Sequence, residues 1–284
     1  MPFMEDSYAR VLWTAIEPIH IVTYFCPESI QASKDVGLKG YWMGYFGGRA
    51  APLGPVAPGV VEATFYGFHP RLVRRAIPDA WSFASPETIL RTRQEAAAKV
   101  LRRLAPSVDE VAVKANPLLS KVIEAANSPG FTLFSANRDV PTPEDPVEAL
   151  WQACATLREH RGDGHIAILV SEGIGGAESL VLAAAVADTP FDTITRTRAW
   201  TPEELQAAVD SLAARGLLHG DGSITEKGRV FRQEIEERTN RLAAPPYQVL
   251  DDPEELVTLL QPVARAVLDS GEIPFSIVSV PKPA

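Results

Sequence analysis

The chain has 284 residues, of which 46% are hydrophobic and 22% charged, and its formal net charge is −9. This length and composition exclude a disordered chain and a small disulfide-stapled domain, because they suffice for a sizeable hydrophobic core. The acidic balance weakens any general attraction to the phosphates of nucleic acid. With two cysteines, no apolar run long enough to cross a bilayer and no signal-peptide pattern at its start, the sequence predicts a cytoplasmic protein.

Helical patterns account for most of the first half of the chain. The first helix begins near Asp6 and is expected to kink at Pro18, because proline removes a backbone donor and clashes with the preceding turn. The Gly- and Pro-rich stretch 40–58 cannot form one uninterrupted helix. Further helices are predicted at 28–37, 59–67, 70–77, 86–104 and 107–127. The stretch 128–144 has the composition of a loop and predicts a domain boundary.

The second half repeats this alternation of helices and short turns. Asp145 begins a helix that is predicted to stop at the sequence Gly162-Asp163-Gly164, before helices at 165–172 and 176–187. Thr201 and Glu204 form a capping box for the next helix.

The segment that follows this capped helix predicts a hairpin and two more helices. Residues 216–225 predict two short strands around an Asp-Gly turn. Thr225 then caps a helix over 226–241, and Asp252 begins a last helix that ends near Ser270. Residues 271–284 are predicted to be irregular.

Residues 176–241 therefore have the element order of a winged helix-turn-helix unit. Leu217-Leu218 leads into the predicted hairpin, and Thr225-Glu226-Lys227-Gly228-Arg229 follows it. On these residues the segment resembles the winged-helix domain of MarR-type regulators, and the whole chain resembles a family of uncharacterised actinobacterial proteins described as MarR-like. The resemblance implies a mainly α fold of winged helix-turn-helix units with short β-wings, and it implies a fold more than a function.

Two stretches look alike, because Ile77 to Trp81 precedes the helix at 86–104 much as Arg196 to Trp200 precedes the one at 202–215. Either the chain is a diverged tandem duplication, or two common helix starts coincide. The predicted domains are 1–140, 141–250 and 251–284. A cleft between the first two would be a favoured ligand site. MarR-type relatives usually dimerise through terminal helices, so a homodimer and packing of the last helix on its own chain are alternatives.

The predicted recognition helix, residues 201–217, is acidic. It carries Glu203, Glu204 and Asp210 against Arg215 alone, and the phosphates along the major groove would repel it. DNA binding is therefore predicted to be lost in this half. The stretch 69–103 instead has eight basic and three acidic residues, which keeps DNA as an alternative partner beside the simpler interpretation of a solvated helix face.

Polar and aromatic residues predict a ligand site. Glu17, His20 and Tyr24 have the spacing of one helix face, and Glu-x-x-His also occurs in metal sites of helical bundles. A second cluster runs from Arg158 to His165, and its alternative interpretation is structural ion pairing. An aromatic wall beside Arg49 would suit a flat ligand with an anionic group.

We therefore predict that the chain binds a small molecule, partly aromatic or anionic, in a cleft between its halves. Acid–base chemistry, if the chain is catalytic, is assigned to Glu17, His20, Asp163 and His165. The predicted ligand-binding residues are Tyr24, Trp42, Tyr45, Arg49, Tyr66, His160 and Arg161. Arg49 and Arg161 would bind the anion. The alternatives are a ligand-responsive transcription regulator that uses 69–103 and a metal or haem protein centred on His20, His160 and His165. No membrane partner is predicted, and the sequence does not specify a cofactor.

Overall fold

A computed structural model describes residues 3–274, with side chains from residue 8 onward, and the described chain is mainly α-helical. The predictions for the first two residues and for 275–284 lie outside the described residues. The helices, in chain order, are α1 (Phe3–Phe25), α2 (Pro27–Asp35), α3 (Gly40–Ala50), α4 (Pro58–Thr64), α5 (Pro70–Arg74), α6 (Ala80–Phe83), α7 (Pro86–Leu104), α8 (Val108–Ala125), α9 (Thr132–Arg138), α10 (Pro146–Ser171), α11 (Gly176–Ala187), α12 (Asp192–Arg198), α13 (Pro202–Ala214), α14 (Glu226–Ala243) and α15 (Pro253–Asp269), with short 3-10 helices at Ala51–Leu53 and Pro245–Val249.

The main hydrophobic core lies between the long helices α1, α7, α8, α10 and α15. Trp151 on α10 is fully buried there, and its Nε1 donates a hydrogen bond to the carbonyl oxygen of His20 at 3.1 Å. Leu12, Leu119 and Leu260 join the same core from α1, α8 and α15. The core thus draws on stretches from both sides of the predicted boundary at 128–144, and the division into three domains stays a prediction.

The helix-turn-helix unit consists of α11, α12 and α13, followed by a turn and α14. Its capping box is confirmed, since Glu204 N donates to Thr201 Oγ1 at 3.2 Å and Thr201 N donates to Glu204 Oε2 at 2.8 Å. Val181, Leu212 and Leu217 are buried in a core of this unit. The unit is therefore held together by its own apolar contacts.

The predicted β-wing is reduced to a turn in the described chain. Leu218 and Ile224 form one isolated antiparallel bridge, and no strand is present among residues 3–274. Asp221 accepts hydrogen bonds from the backbone N and the hydroxyl of Ser223, at 2.9 and 2.6 Å, and this tight turn leaves too few residues on either side for a ladder. Gly228 packs close behind it, because a Cβ there would lie 2.0 Å from the Leu217 carbonyl oxygen.

The prediction that a helix stops at Gly162-Asp163-Gly164 is wrong, because α10 continues through this sequence to Ser171. A Cβ at Gly164 would lie 3.4 Å from the Phe131 ring and 3.5 Å from Leu242, which are ordinary contact distances, so the segment before α9 and the helix α14 both pack against α10 at this point. Asp163, in the middle of this sequence, accepts a hydrogen bond from Phe134 N at 2.9 Å. It thereby caps α9, a helix inside the stretch predicted to be a loop.

By length and composition, no single helix within residues 3–274 is suited to crossing a membrane. The helices α10 and α11 meet that criterion only when taken together, and the chain bends by 103° between them.

Candidate ligand site

A buried network of charged side chains lies where α1, α3 and α10 meet. Arg49 donates from Nε and Nη2 to the two carboxylate oxygens of Glu159, at 2.8 and 2.9 Å. Arg158 donates from Nη1 to Glu159 at 2.9 Å and from Nε to Glu17 at 3.2 Å. Glu17, Arg49 and Glu159 are all buried. Two arginines and two glutamates thus neutralise one another.

The charges of this network stabilise each other against burial. Burial alone would raise the pKa of Glu159, but Arg49 and Arg158 outweigh it and hold that pKa well below its usual range. Burial would lower the pKa of Arg49, but Glu159 holds it well above its usual value. Both groups therefore remain charged at neutral pH, and the Arg49 guanidinium is already occupied by a carboxylate.

His20 lies beside this network with its ring between two aromatic side chains. The imidazole stacks on Trp151 with centroids 6.0 Å apart and meets the ring of Tyr24 edge-on at 5.3 Å. Both ring nitrogens are buried, and neither has a hydrogen-bond partner among the described residues. Burial, reinforced by Arg158, lowers the pKa of His20 well below its usual value. A neutral imidazole in this position offers one donor and one acceptor.

An aromatic wall extends from His20 toward the second half of the chain. The ring centroids of Tyr24 and Tyr45 lie 4.5 Å apart, and those of Tyr45 and Phe68 lie 5.3 Å apart. Trp42, one turn before Tyr45 on α3, meets Phe68 edge-on at 5.8 Å. Burial raises the pKa of Tyr24, so its hydroxyl stays protonated.

Arg198, the last residue of α12, closes this wall. Its Cζ lies 4.5 Å from the centroid of Phe68, and its Nη1 donates to the carbonyl oxygen of Thr197 at 3.0 Å. Within residues 8–274, no carboxylate oxygen lies within 4.0 Å of its nitrogens. The guanidinium is only partly exposed. Sequence reasoning did not identify this residue.

Several charged and aromatic groups act on Arg198 together. Burial lowers its pKa, Tyr45 and Tyr41 oppose that shift, and the positive charges of Arg49 and Arg158 reinforce it. The site therefore combines Arg49, Arg158 and Arg198 with the carboxylates of Glu17 and Glu159, and the charge of Arg93 also acts on His20. The arginines outnumber the carboxylates, so the site carries a net positive charge.

Other predicted site residues lie on different faces of α10. His160 stacks on Phe131 with centroids 4.5 Å apart, and burial lowers its pKa to about 4. Burial raises the pKa of Asp163, the cap of α9, to about 6. Both residues face α9 and the segment before it.

A third face of α10 contacts α14. Arg161 pairs with Glu236 and donates to Asn240 Oδ1 at 3.0 Å. Nδ1 of His165 lies 3.0 Å from Thr239 Oγ1.

Tyr66 uses its hydroxyl elsewhere, donating to the Ile174 carbonyl oxygen at 2.5 Å. The structure thus brings together six of the predicted residues, and it gives Tyr66, His160, Arg161, Asp163 and His165 other neighbours. The six are Glu17, His20, Tyr24, Trp42, Tyr45 and Arg49.

Residues 67–71 cover the turn between α12 and α13. His69 N donates to the Arg198 carbonyl oxygen at 3.0 Å, and Trp200 Nε1 donates to the Gly67 carbonyl oxygen at 3.0 Å. The His69 ring also lies 3.0 Å from Glu204 at the start of α13. The start of a recognition helix is the part that contacts base edges in helix-turn-helix complexes. In this fold, residues 67–71 of the first half of the chain cover the start of α13.

The basic stretch 69–103 is largely engaged in contacts within the chain. Arg93 is buried. Four other arginines form ion pairs, namely Arg74 with Glu62, Arg91 with Glu95, Arg102 with Asp109 and Asp145, and Arg103 with Glu28 and Glu272. These pairs reduce the positive charge that the stretch offers to a phosphate backbone.

The three histidines proposed for a metal or haem contact different neighbours, namely Trp151 for His20, Phe131 for His160 and Thr239 for His165. Among the described residues, no group of three or more His, Cys, Asp and Glu side chains could hold a metal ion.

The short helices α11, α12 and α13 and their capped turn place the fold in the helix-turn-helix class. A sequence profile of a helix-turn-helix family matches residues 9–274, and the chain belongs to that family. Comparisons with curated proteins and with solved structures returned no match. The match confirms the helix-turn-helix part of the predicted resemblance.

Proposed function

We propose that this helix-turn-helix protein binds a small molecule that combines an aromatic ring with an anionic group, and that α13 does not read DNA. The observation that carries the proposal is Arg198, whose partly exposed guanidinium lies against Phe68 without a carboxylate partner among the described residues. A charge removed from water is costly unless it is paired. A ligand carboxylate or phosphate would supply the missing partner.

The surroundings of Arg198 suit the rest of such a ligand. Trp42, Tyr45 and Phe68 offer aromatic faces and edges for a ring. Arg198 takes the role that sequence analysis gave to Arg49 and Arg161, because both of those guanidiniums already bind carboxylates. His20 would donate or accept a hydrogen bond deeper in the site. Any acid–base step would start from its neutral form.

A second candidate is the ligand-responsive regulator expected of a MarR-like chain. It is favoured by the position of Arg198, because Ala199, with φ of 64°, and Trp200 alone separate it from Thr201, the cap of α13. An anion bound to Arg198 would lie next to the start of α13 and could change its position. Against it stand the exposed Glu203 and Asp210 of α13 and the coverage by 67–71. A cytoplasmic location stays a prediction.

Ligand-observed ¹⁹F NMR tests the anion site with 4-fluorobenzoate and 4-fluorophenyl phosphate, and with 4-fluorobenzyl alcohol as the uncharged comparator. We expect saturable binding of at least one anion and not of the alcohol. Arg198→Gln should weaken that binding by about tenfold or more, the effect of losing one charge-assisted hydrogen bond. Arg196→Gln is the matched control, since Arg196 is exposed on the same helix. Equal binding by the Arg198→Gln variant would refute the proposal.

A mobility-shift assay on the protein's own promoter separates the two candidates. We expect no retarded band even at low salt, because the exposed face of α13 is acidic. A band that weakens steeply with salt would establish the regulator instead.

A further inference from the structure

A cleft beside the first half of α10 has a volume of about 570 Å³. It lies between α8, the start of α10 and the segment 137–144 that joins α9 to α10. This size is within the range of small-molecule pockets. The cleft falls inside the stretch that the sequence predicted as a domain boundary.

The floor of this cleft consists of buried neutral polar side chains. Asn137, Gln152 and Thr156 line it and are 3%, 5% and 2% exposed. Beneath them lies Arg93, whose Nη2 donates to Asn137 Oδ1 at 3.1 Å and to Gln152 Oε1 at 3.2 Å. Gln94 Nε2 donates to the same Gln152 oxygen at 3.1 Å. The acceptor atom of Gln152 is therefore fully used.

The donor atom of Gln152 is only weakly used. Its Nε2 has three contacts, at 3.3 Å to the Asn137 carbonyl, 3.4 Å to Asn137 Oδ1 and 3.4 Å to Thr156 Oγ1. These lie beyond the usual range for N–H···O bonds. On the wall formed by α8, Asn116 Oδ1 is buried and has no hydrogen-bond partner within the described chain. The cleft thus has a weakly bonded amide donor in Gln152 and, within the described chain, an amide acceptor without a partner in Asn116.

We propose that this cleft binds a small neutral molecule that carries a carboxamide or lactam group. Its carbonyl would accept from Gln152 Nε2, and its N–H would donate to Asn116 Oδ1. Arg93 beneath the floor disfavours a cation. At the rim, Glu124 and Glu144 outnumber Arg138, which itself pairs with Asp139 at 4.0 Å, and this acidic balance disfavours an anion. Ile123, Val140 and Ala153 supply apolar contacts for the rest of the molecule.

The test uses ¹⁹F NMR on the full chain with 4-fluorobenzamide and 5-fluorouracil, and 4-fluorotoluene as the comparator without an amide. Gln152→Glu keeps the acceptor for Arg93 and replaces the proposed donor with an oxygen, so it removes the site while giving Arg93 a carboxylate partner. Asn116→Ala removes the acceptor at the less buried wall and serves if the first variant fails to fold. Gln233→Glu makes the same chemical change at an exposed position on α14.

We expect saturable binding of at least one amide, weakened about tenfold or more by either cleft variant and unchanged by Gln233→Glu. Arg198→Gln should leave amide binding intact, so the failure of one proposed site is distinguishable from the failure of the other. The absence of saturable binding by both amides, equal binding of 4-fluorotoluene, or unchanged amide binding by the folded cleft variants would each overturn the proposal.

Discussion

Replacing Glu159 with glutamine removes the negative charge that Arg49 and Arg158 share in the core. The side chains of Arg49 and Glu159 are 9% and 2% exposed, and two hydrogen bonds join them. In Glu159→Gln, Arg158 keeps its bond to Glu17, but Arg49 loses its carboxylate partner while still buried. Breaking one side of a buried ion pair costs about 3–5 kcal/mol in the free energy of unfolding.

Urea unfolding at pH 7 measures this loss directly, and the melting temperature should fall by roughly 6 °C or more. The double variant Arg49→Met/Glu159→Leu is the control, because replacing both charges with apolar groups leaves no unpaired charge. It should be more stable than the single variant Glu159→Gln. A loss below about 1 kcal/mol in that single variant, or a double variant less stable than it, would refute the assigned role of the pair.

Three further predictions concern packing and pH. Gly228→Ala should destabilise the protein by about 1–3 kcal/mol or more, measured by thermal unfolding, because its Cβ would meet the Leu217 carbonyl; an unchanged melting temperature would contradict that contact. Burial raises the pKa of Asp163 to about 6, so the stability from its neutral form is present below pH 4 and lost as the pH rises through 6. The variant Asp163→Asn should remove this loss, which amounts to up to about 2–3 kcal/mol at pH 7. Urea titrations across this pH range measure the loss, and equal pH profiles for the variant and the wild type would contradict the prediction. Burial lowers the pKa of His160 to about 4, so the stability from its neutral form is fully present above about pH 6.5 and lost toward pH 4. Between pH 7 and 4.5, the variant His160→Phe should therefore lose less stability than the wild type, by about 2–3 kcal/mol. An equal loss in the two proteins would argue against burial of a neutral imidazole.

Local capping signals predicted the helix starts well. Asp145, Thr201, Thr225 and Asp252 each cap the helix that the sequence assigned to them. Such caps are encoded within four consecutive residues, so no tertiary information is needed.

Where tertiary contacts decide the structure, the sequence predictions failed. Glycine disfavours a helix by about 1 kcal/mol, but α10 continues through Gly164, where Phe131 and Leu242 from other parts of the chain pack against it. The cap of α9 is Asp163, 29 residues away from Phe134, so no local pattern announces that helix.

The candidate site was predictable on one helix and not across helices. The spacing of Glu17, His20 and Tyr24 placed them on one face of α1. Glu159 belongs to the charged cluster that the sequence singled out. Its contacts with Arg49 and Arg158 were not predicted, because the helix was expected to end three residues later. Arg198 had no local signal, because its role depends on a phenylalanine 130 positions earlier in the chain.

The pairing of α1 with α15 has a consequence for how the protein is made. These helices pack together over much of their length, and Tyr8 donates a hydrogen bond to Glu254, 246 residues later, at 2.5 Å. During synthesis, the apolar face of α1 is therefore available long before Leu256, Leu260 and Val263 arrive to cover it. Contacts this distant in sequence form slowly, and until they form, the nascent chain exposes hydrophobic surface that is prone to aggregation. Ribosome-bound chains that end before α15 should therefore be the ones that chaperones retain.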